Sequence, residues 1–275
     1  MTPRPLAVIT DVDGCLLDAR TYDLTPARQA LRRLRRAGVP LALCTSKTRL
    51  EVAQLLRQLG GPYLAVVEDG GGLLLPPGVA PRAAVAGARR TRHGRLVALS
   101  APYARVRRVF TALRRRTGNA VVGFGDLEVA EIARLTGLSA AAARRAACRE
   151  FDEPFIITRE PRRVRALMSR LAARSGLAVT RGGRFHHLHG DTDKGRATLL
   201  VRRLLEQAGG PVTLVALGDS ALDAPMLAVA DVPIIVPRPD GRPDPVLRRR
   251  VPRARVALAP GPAGWAAAVS RLLGR

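Results

Sequence analysis

The sequence predicts an α/β protein, a Rossmann-like doubly wound parallel sheet that carries an inserted α+β domain. Three observations predict it. Short apolar runs alternate with helical stripes over residues 1–88 and again over 191–275, the pattern of a parallel sheet with helices on both faces. Polar residues, several of them carboxylates, stand at the end of each such run. Between the two stretches, residues 89–190 lose this alternation and read as an α+β unit with a core of its own, inserted into a core made of 1–88 and 191–275.

The first strand is LAVIT, residues 6–10, and it runs straight into Asp11 and Asp13 before Gly14 releases the chain. Two carboxylates at a strand end cannot both be buried unpaired, because uncompensated charge costs more than a small domain can absorb. Something cationic must meet them. Thr25 and Pro26 start a helix whose stripe is Ala27, Ala30, Leu31 and Leu34, and Gly38 ends it. The second strand, 40–44, delivers Thr45, Ser46 and Lys47 to its end. A helix with Val52, Leu55, Leu56 and Leu59 follows, and the third strand, 63–67, ends in Glu68, Asp69 and a glycine run.

The insert reads as a strand at 95–100, a helix with Val106, Phe110 and Leu113, a strand at 120–125 and two short helices at 129–138 and 140–148. A strand at 154–158, a helix with Val164, Met168 and Leu171, and a hairpin turning at 181–183 complete it. A helix from about Gly195 then restores the parallel pattern, and the strand 211–217 ends at Gly218, Asp219 and Ser220, with Asp223 four positions after Asp219. A strand at 232–236, a Pro/Arg-rich surface loop at 237–263 and a helix with Trp265, Val269 and Leu272 close the chain.

The net charge of +24 ordinarily suggests nucleic acid or an anionic membrane. Here 44 residues are Arg, only Lys47 and Lys194 are Lys, and Asn119 is the sole Asn, so the charge reads as a global coding bias. The arginines follow no single stripe and aromatic residues are 3%, which argues against nucleic-acid binding as the main role. The two lysines are informative for the same reason, since an ammonium is a compact point charge where this chain otherwise uses a guanidinium. Three widely spaced cysteines suggest neither a disulfide framework nor a zinc site and fit a reducing cytoplasm. No apolar run approaches the roughly 20 residues of a membrane span. Strand alternation puts His187 and His189 on one face and His186 on the other, which disfavours a transition-metal site.

In one parallel sheet the strand-end clusters Asp11/Asp13, Thr45/Ser46/Lys47, Lys194 and Asp219/Asp223 converge on a single crevice. Carboxylates, lysines and hydroxyls together suit a hard divalent cation, Mg²⁺, and a phosphoryl group. At this point the sequence resembles the haloacid dehalogenase superfamily, whose four motifs map in order onto DVDGCLLD (11–18), Thr45, Lys194 and GDSALD (218–223), with the insert as its large type II cap. The stretches CTSKTRLEV (44–52), VEDGGGLLLP (67–76), GFGDLEVAEIARLTGLS (123–139), AACREFDEPFI (146–156) and GGRFHHLHGDTDKGRA (182–197) resemble the mannosyl-3-phosphoglycerate phosphatase family within it.

That resemblance implies Mg²⁺-dependent hydrolysis of mannosyl-3-phosphoglycerate to mannosylglycerate, a compatible solute, and phosphate. It implies Asp11 as nucleophile, Asp13 as general acid and base, and Thr45 and Lys194 as ligands of the transferring phosphoryl group. Asp11, Asp13, Asp219 and Asp223 are the expected metal site, and Ser46, Lys47, Glu68, Arg134, Arg184 and His187 the expected substrate contacts. Cys15, Asp69 and Leu222 depart from the family pattern, where Thr, Asn and Asn are usual. Leu222 keeps open a non-catalytic anion-binding or regulatory role, and glucosyl-3-phosphoglycerate or another sugar phosphate remains an alternative substrate.

Overall fold

In the computed structural model the described residues are 4–79, 85 and 87–274. The chain lays down β1 (Leu6–Thr10), α1 (Arg28–Arg36), β2 (Leu41–Cys44), α2 (Arg49–Leu59), β3 (Leu64–Val67), β4 (Gly72–Leu75), β5 (Arg89–Thr91) and β6 (Gly94–Ala98). It then builds α3 (Tyr103–Arg116), β7 (Val121–Gly123), α4 (Val129–Thr136), α5 (Ala140–Ala146), β8 (Asp152–Ile157), α6 (Pro161–Arg174), β9 (Leu177–Gly182) and β10 (Phe185–Gly190). The last part is α7 (Lys194–Gly209), β11 (Thr213–Gly218), α8 (Ala224–Val229), β12 (Val232–Ile235), α9 (Pro245–Arg250), β13 (Arg255–Val256) and α10 (Gly261–Leu272).

Two sheets result. The larger has nine strands in the order β13-β12-β11-β1-β2-β3-β4-β6-β5, parallel from β13 through β3, with β4, β6 and β5 added antiparallel. Alternation along β1 sends Val8 into one apolar cluster with α1, α2 and α10, and Ala7 and Ile9 into a second cluster with α7, α8 and α9. β1 is flanked by β2 and β11, so successive strands leave it in opposite directions. At such a switch point the strand ends open a crevice, and Asp11 and Asp219 follow β1 and β11 into it. Trp265 of α10 pins the end of β1, its Nε1 donating to Thr10 Oγ1 at 2.9 Å.

The smaller sheet, β7-β8-β10-β9, is antiparallel throughout. One face packs on α3 and α6 around Phe110, Phe155, Met168 and Leu188, and the other bears His187 and Pro154 toward the crevice.

Two sequence expectations change. The strand expected to open the insert is β6, which pairs with β4 and extends the large sheet together with β5, so residues 89–98 do not join the smaller sheet. Antiparallel addition to an edge leaves no mark in an apolar run. The segment 237–263 is ordered into α9 and the edge strand β13, because Leu247, Val251 and Ala254 are buried against the second cluster. Among the described residues no helix is long and apolar enough to cross a membrane.

Candidate active site

Lys194, the first residue of α7, sits at the centre. Its Nζ lies 2.6 Å from Asp11 Oδ1, 2.7 Å from Asp223 Oδ1 and 3.5 Å from Asp69 Oδ1, and its side chain is 4% exposed. Burial alone would favour the neutral amine, but these carboxylates raise its pKa well above the ordinary lysine value. Asp223 is saturated. Its second oxygen accepts from the backbone N–H of Asp219 at 3.1 Å, the N–H of Ser220 at 3.0 Å and the Ser220 hydroxyl at 3.1 Å, so it shapes the loop that presents Asp219.

Burial and the neighbouring carboxylates push the Asp11 carboxyl well above the usual range and that of Asp219 up to about 8. Ligand oxygens of Asp11, Asp219 and Asp223 lie within 4.8 Å of one another. One ammonium does not neutralise them, and buried oxygens of Asp13 (Oδ1) and Asp69 (both) lack any hydrogen-bond partner. An all-oxygen donor set with excess negative charge fits a hard divalent cation. Gly14, at φ +81°, keeps this space open, since a Cβ there would stand 2.5 Å from Asp219 Oδ2.

Asp13 and Lys47 face each other across the mouth, Nζ to Oδ2 at 2.8 Å, with the Lys47 ammonium 5.0 Å from the centroid of the Tyr22 ring. Thr45 is buried, its Oγ1 accepting from the Lys47 N–H at 3.2 Å and its carbonyl from the Asp69 N–H at 3.0 Å, so it orders the strand-end loop. Glu68 and Asp69 both hold left-handed backbone, φ 50° and 53°, a costly arrangement for non-glycine residues that the loop contacts enforce. Cys15 is fully buried with its Sγ 3.6 Å from Thr10 Oγ1, so this departure faces the core.

The crevice, about 600 Å³, is lined by Asp11, Asp13, Ser46, Lys47, Asp69, Lys194 and Asp219 below and by Arg149, Arg184, Phe185 and His187 above. Glu68 and Arg134, expected as substrate contacts, are not on this lining. Glu68 is buried and its carboxylate accepts from the backbone N–H groups of Glu150, Phe151 and Asp152 at 3.0, 2.8 and 3.0 Å, tying the large sheet to the segment before β8. It points away from the substrate space because the left-handed turn reverses the chain there. Arg134 lies on the exposed side of α4.

Sequence reasoning missed Arg149. Only 9% exposed, it donates through Nε to Asp152 Oδ1 at 2.6 Å and through Nη2 to the Ser46 carbonyl at 3.1 Å, with a second contact from Nη2 to Asp152. Asp152 also holds His187, Oδ2 to Nδ1 at 2.6 Å, which leaves Nε2 of His187 toward the crevice. The signal lay in the REFDEPF run, where a charged cluster precedes a buried strand. Leu222 packs toward the hairpin of the smaller sheet: a Cβ on Gly182 would stand 2.6 Å from its Cδ1. An apolar side chain there bridges the loop that carries Asp219 and the β9–β10 hairpin.

No family model matches the sequence. Curated relatives do, and two among them are described as glucosyl-3-phosphoglycerate/mannosyl-3-phosphoglycerate phosphatases. The one from Methanococcoides burtonii is 34% identical over 268 residues, covering 98% of this chain and 97% of its own, and the one from Persephonella marina is 35% identical over 270 residues with 98% and 97% coverage. Among solved structures, a haloalkanoate-superfamily phosphatase from Bacteroides thetaiotaomicron superposes with a TM-score of 0.67 at 18% identity over 99% of this chain and 96% of its own. The sucrose-phosphatase of Synechocystis, in complex with sucrose and phosphate, does so with a TM-score of 0.61 at 15% identity over 98% of each chain. The fold is therefore that of the haloacid dehalogenase hydrolases, and the chain belongs to the glucosyl-3-phosphoglycerate/mannosyl-3-phosphoglycerate phosphatase family of phosphoric monoester hydrolases.

Proposed function

We propose that the protein hydrolyses mannosyl-3-phosphoglycerate to mannosylglycerate and phosphate in a Mg²⁺-dependent reaction through an aspartyl-phosphate on Asp11, with the glucosyl compound as second substrate. The observation that carries this reading is the buried Asp11–Lys194–Asp223 arrangement beside Asp219, opposite a cap that offers Arg149, Arg184 and His187. The names of the relatives support the substrate class.

Lys194 holds Oδ1 of Asp11, which fixes the carboxylate and leaves Oδ2 as the nucleophilic oxygen. As that oxygen bonds to phosphorus, the bond from phosphorus to the glycerate oxygen breaks, and the leaving oxygen takes a proton from Asp13. Asp13 then removes a proton from water, which attacks the phosphorus, releases phosphate and regenerates the Asp11 carboxylate. The Lys47 contact at Oδ2 orients Asp13 and leaves Oδ1 free for this transfer. Lys194, Ser46 and Lys47 surround the phosphoryl oxygens, and Thr45 keeps that loop in place. Asp11, the Asp13 backbone carbonyl and Asp219 would hold Mg²⁺, with Asp223 fixing the loop. When bound, the ion supplies positive charge that offsets the carboxylates and the phosphoryl group.

Above the phosphate, Arg149 and Arg184 offer cations to the glycerate carboxylate and His187 offers a ring nitrogen to a sugar hydroxyl. Two buried free cysteines fit a reducing cytoplasm as the place of action. Phosphate release from mannosyl-3-phosphoglycerate, glucosyl-3-phosphoglycerate and simple hexose phosphates tests the substrate. Turnover highest on the two glycerate esters supports it; preference for a hexose phosphate lacking the carboxylate would move the substrate elsewhere.

A further inference from the structure

A second concavity, about 440 Å³, lies on the cap away from the crevice. It is lined by Arg162 and Arg165 on the first turns of α6, by Arg181 and His186, which are cross-strand partners on β9 and β10, and by Arg184 from the hairpin between them. Among the described residues no carboxylate lines it. Several arginines elsewhere are ion-paired: Arg107 and Arg114 on Asp126, Arg49 and Arg89 on Glu150, and Arg202 on Glu206 and Asp231. The nearest acid in sequence, Glu160, is engaged by Arg163 at 3.1 Å. A coding bias explains many exposed arginines, but not four converging on one hollow without a counter-charge.

Two further features point the same way. The first turn of α6 has Pro161 at its start and no side chain capping its free N–H groups, so the positive end of a 14-residue helix opens toward the hollow. His186 stacks on Phe155, ring centroids 5.4 Å apart, with its Nδ1 buried and without a partner. Burial, and after it Arg181 and Arg165, hold its pKa below the ordinary histidine value.

We propose that this hollow is a binding site for a multiply charged phosphoryl anion, separate from the catalytic crevice. Guanidinium forks and helix N–H groups are suited to such oxygens, and a clustered set outlasts the screening that erases single exposed contacts. Arg184 lines both hollows, so an anion bound here draws its guanidinium from the crevice and weakens binding of the carboxylate-bearing substrate. This second consequence rests on the proposed phosphatase reading; the binding itself does not.

Titration calorimetry with pyrophosphate, in chelator, tests the site on three proteins: wild type, Arg162→Gln/Arg165→Gln, and Arg203→Gln/Arg249→Gln, which removes the same charge from exposed positions elsewhere. The expected result is one pyrophosphate site weakened at least tenfold in the first variant and retained in the second. Equal binding in all three, or equal weakening in both variants, would overturn the site in favour of the crevice or of general surface charge. In turnover assays pyrophosphate should raise KM in wild type at least threefold more than in Arg162→Gln/Arg165→Gln; equal inhibition would overturn the coupling through Arg184. Absence of turnover in every protein would instead count against the phosphatase reading and leave the calorimetry intact.

Discussion

Lys194 Nζ and Asp11 Oδ1 meet at 2.6 Å although 183 positions separate them in the chain. The pair joins the first strand to α7, the helix that follows the smaller sheet, and both side chains are nearly excluded from solvent. The contact brings an ammonium to carboxylates that could not otherwise be buried together.

Replacing Lys194 by Met should therefore damage stability as well as activity. It leaves Asp11, Asp223 and Asp69 without their shared cation, a loss of about 3–5 kcal/mol and a fall in Tm of roughly 10 °C. Differential scanning calorimetry in chelator checks this, and an unchanged Tm would refute it. Added Mg²⁺ should raise the Tm of the variant more than that of wild type, because it restores positive charge among the same oxygens.

Glu68 supplies a pH signature away from Asp11 and Asp219. Burial pushes its carboxyl up to about 8 from an ordinary 4.5, despite the nearby Arg149. The folded chain then keeps a proton that the unfolded chain has released, so stability is full at low pH and falls as pH rises from about 4.5 to about 8. The slope approaches about 1.4 kcal/mol per pH unit. Denaturant unfolding of wild type and Glu68→Gln from pH 5 to pH 9 should show this component only in wild type; parallel curves would contradict it.

Arg149 is expected to select the carboxylate end of the substrate. Because two of its contacts fix the guanidinium plane, Lys cannot replace it. Arg149→Lys should raise KM for the glycerate ester about 10–100-fold while leaving turnover of an aryl phosphate within roughly threefold. A parallel loss on both substrates would reduce Arg149 to a scaffold residue.

Gly182 and Leu222 define how closely the β9–β10 hairpin approaches the loop that carries Asp219. Gly182→Ala places a methyl against Leu222 Cδ1 and should lower kcat/KM about tenfold on the glycerate ester. The double change Gly182→Ala/Leu222→Ala should recover most of it. Failure of the second change to rescue would show that the contact does not govern closure.

Much of this was legible in the sequence, for identifiable reasons. Asp11, Asp13, Lys47, Lys194 and Asp219 stand at strand ends or a helix start, where periodicity alone sends them to one crevice. Arg149 was not legible, because a charge in a short connection between α5 and β8 reads as a solvated residue until the strand buries it. Glu68 was misread because its neighbour Asp69 faces the crevice, and only the left-handed backbone at both positions turns Glu68 toward residues 150–152. The place of β6 depended on antiparallel pairing with β4, which composition does not encode.

The central claim is that Asp11 carries the phosphoryl group. Acid-quenched single turnover with mannosyl-3-phosphoglycerate and Mg²⁺, followed by peptide mapping, should find phosphate on Asp11 in wild type and neither phosphorylation nor phosphate release in Asp11→Asn. Undiminished phosphate release by Asp11→Asn, with no phosphorylated peptide in wild type, would contradict the account.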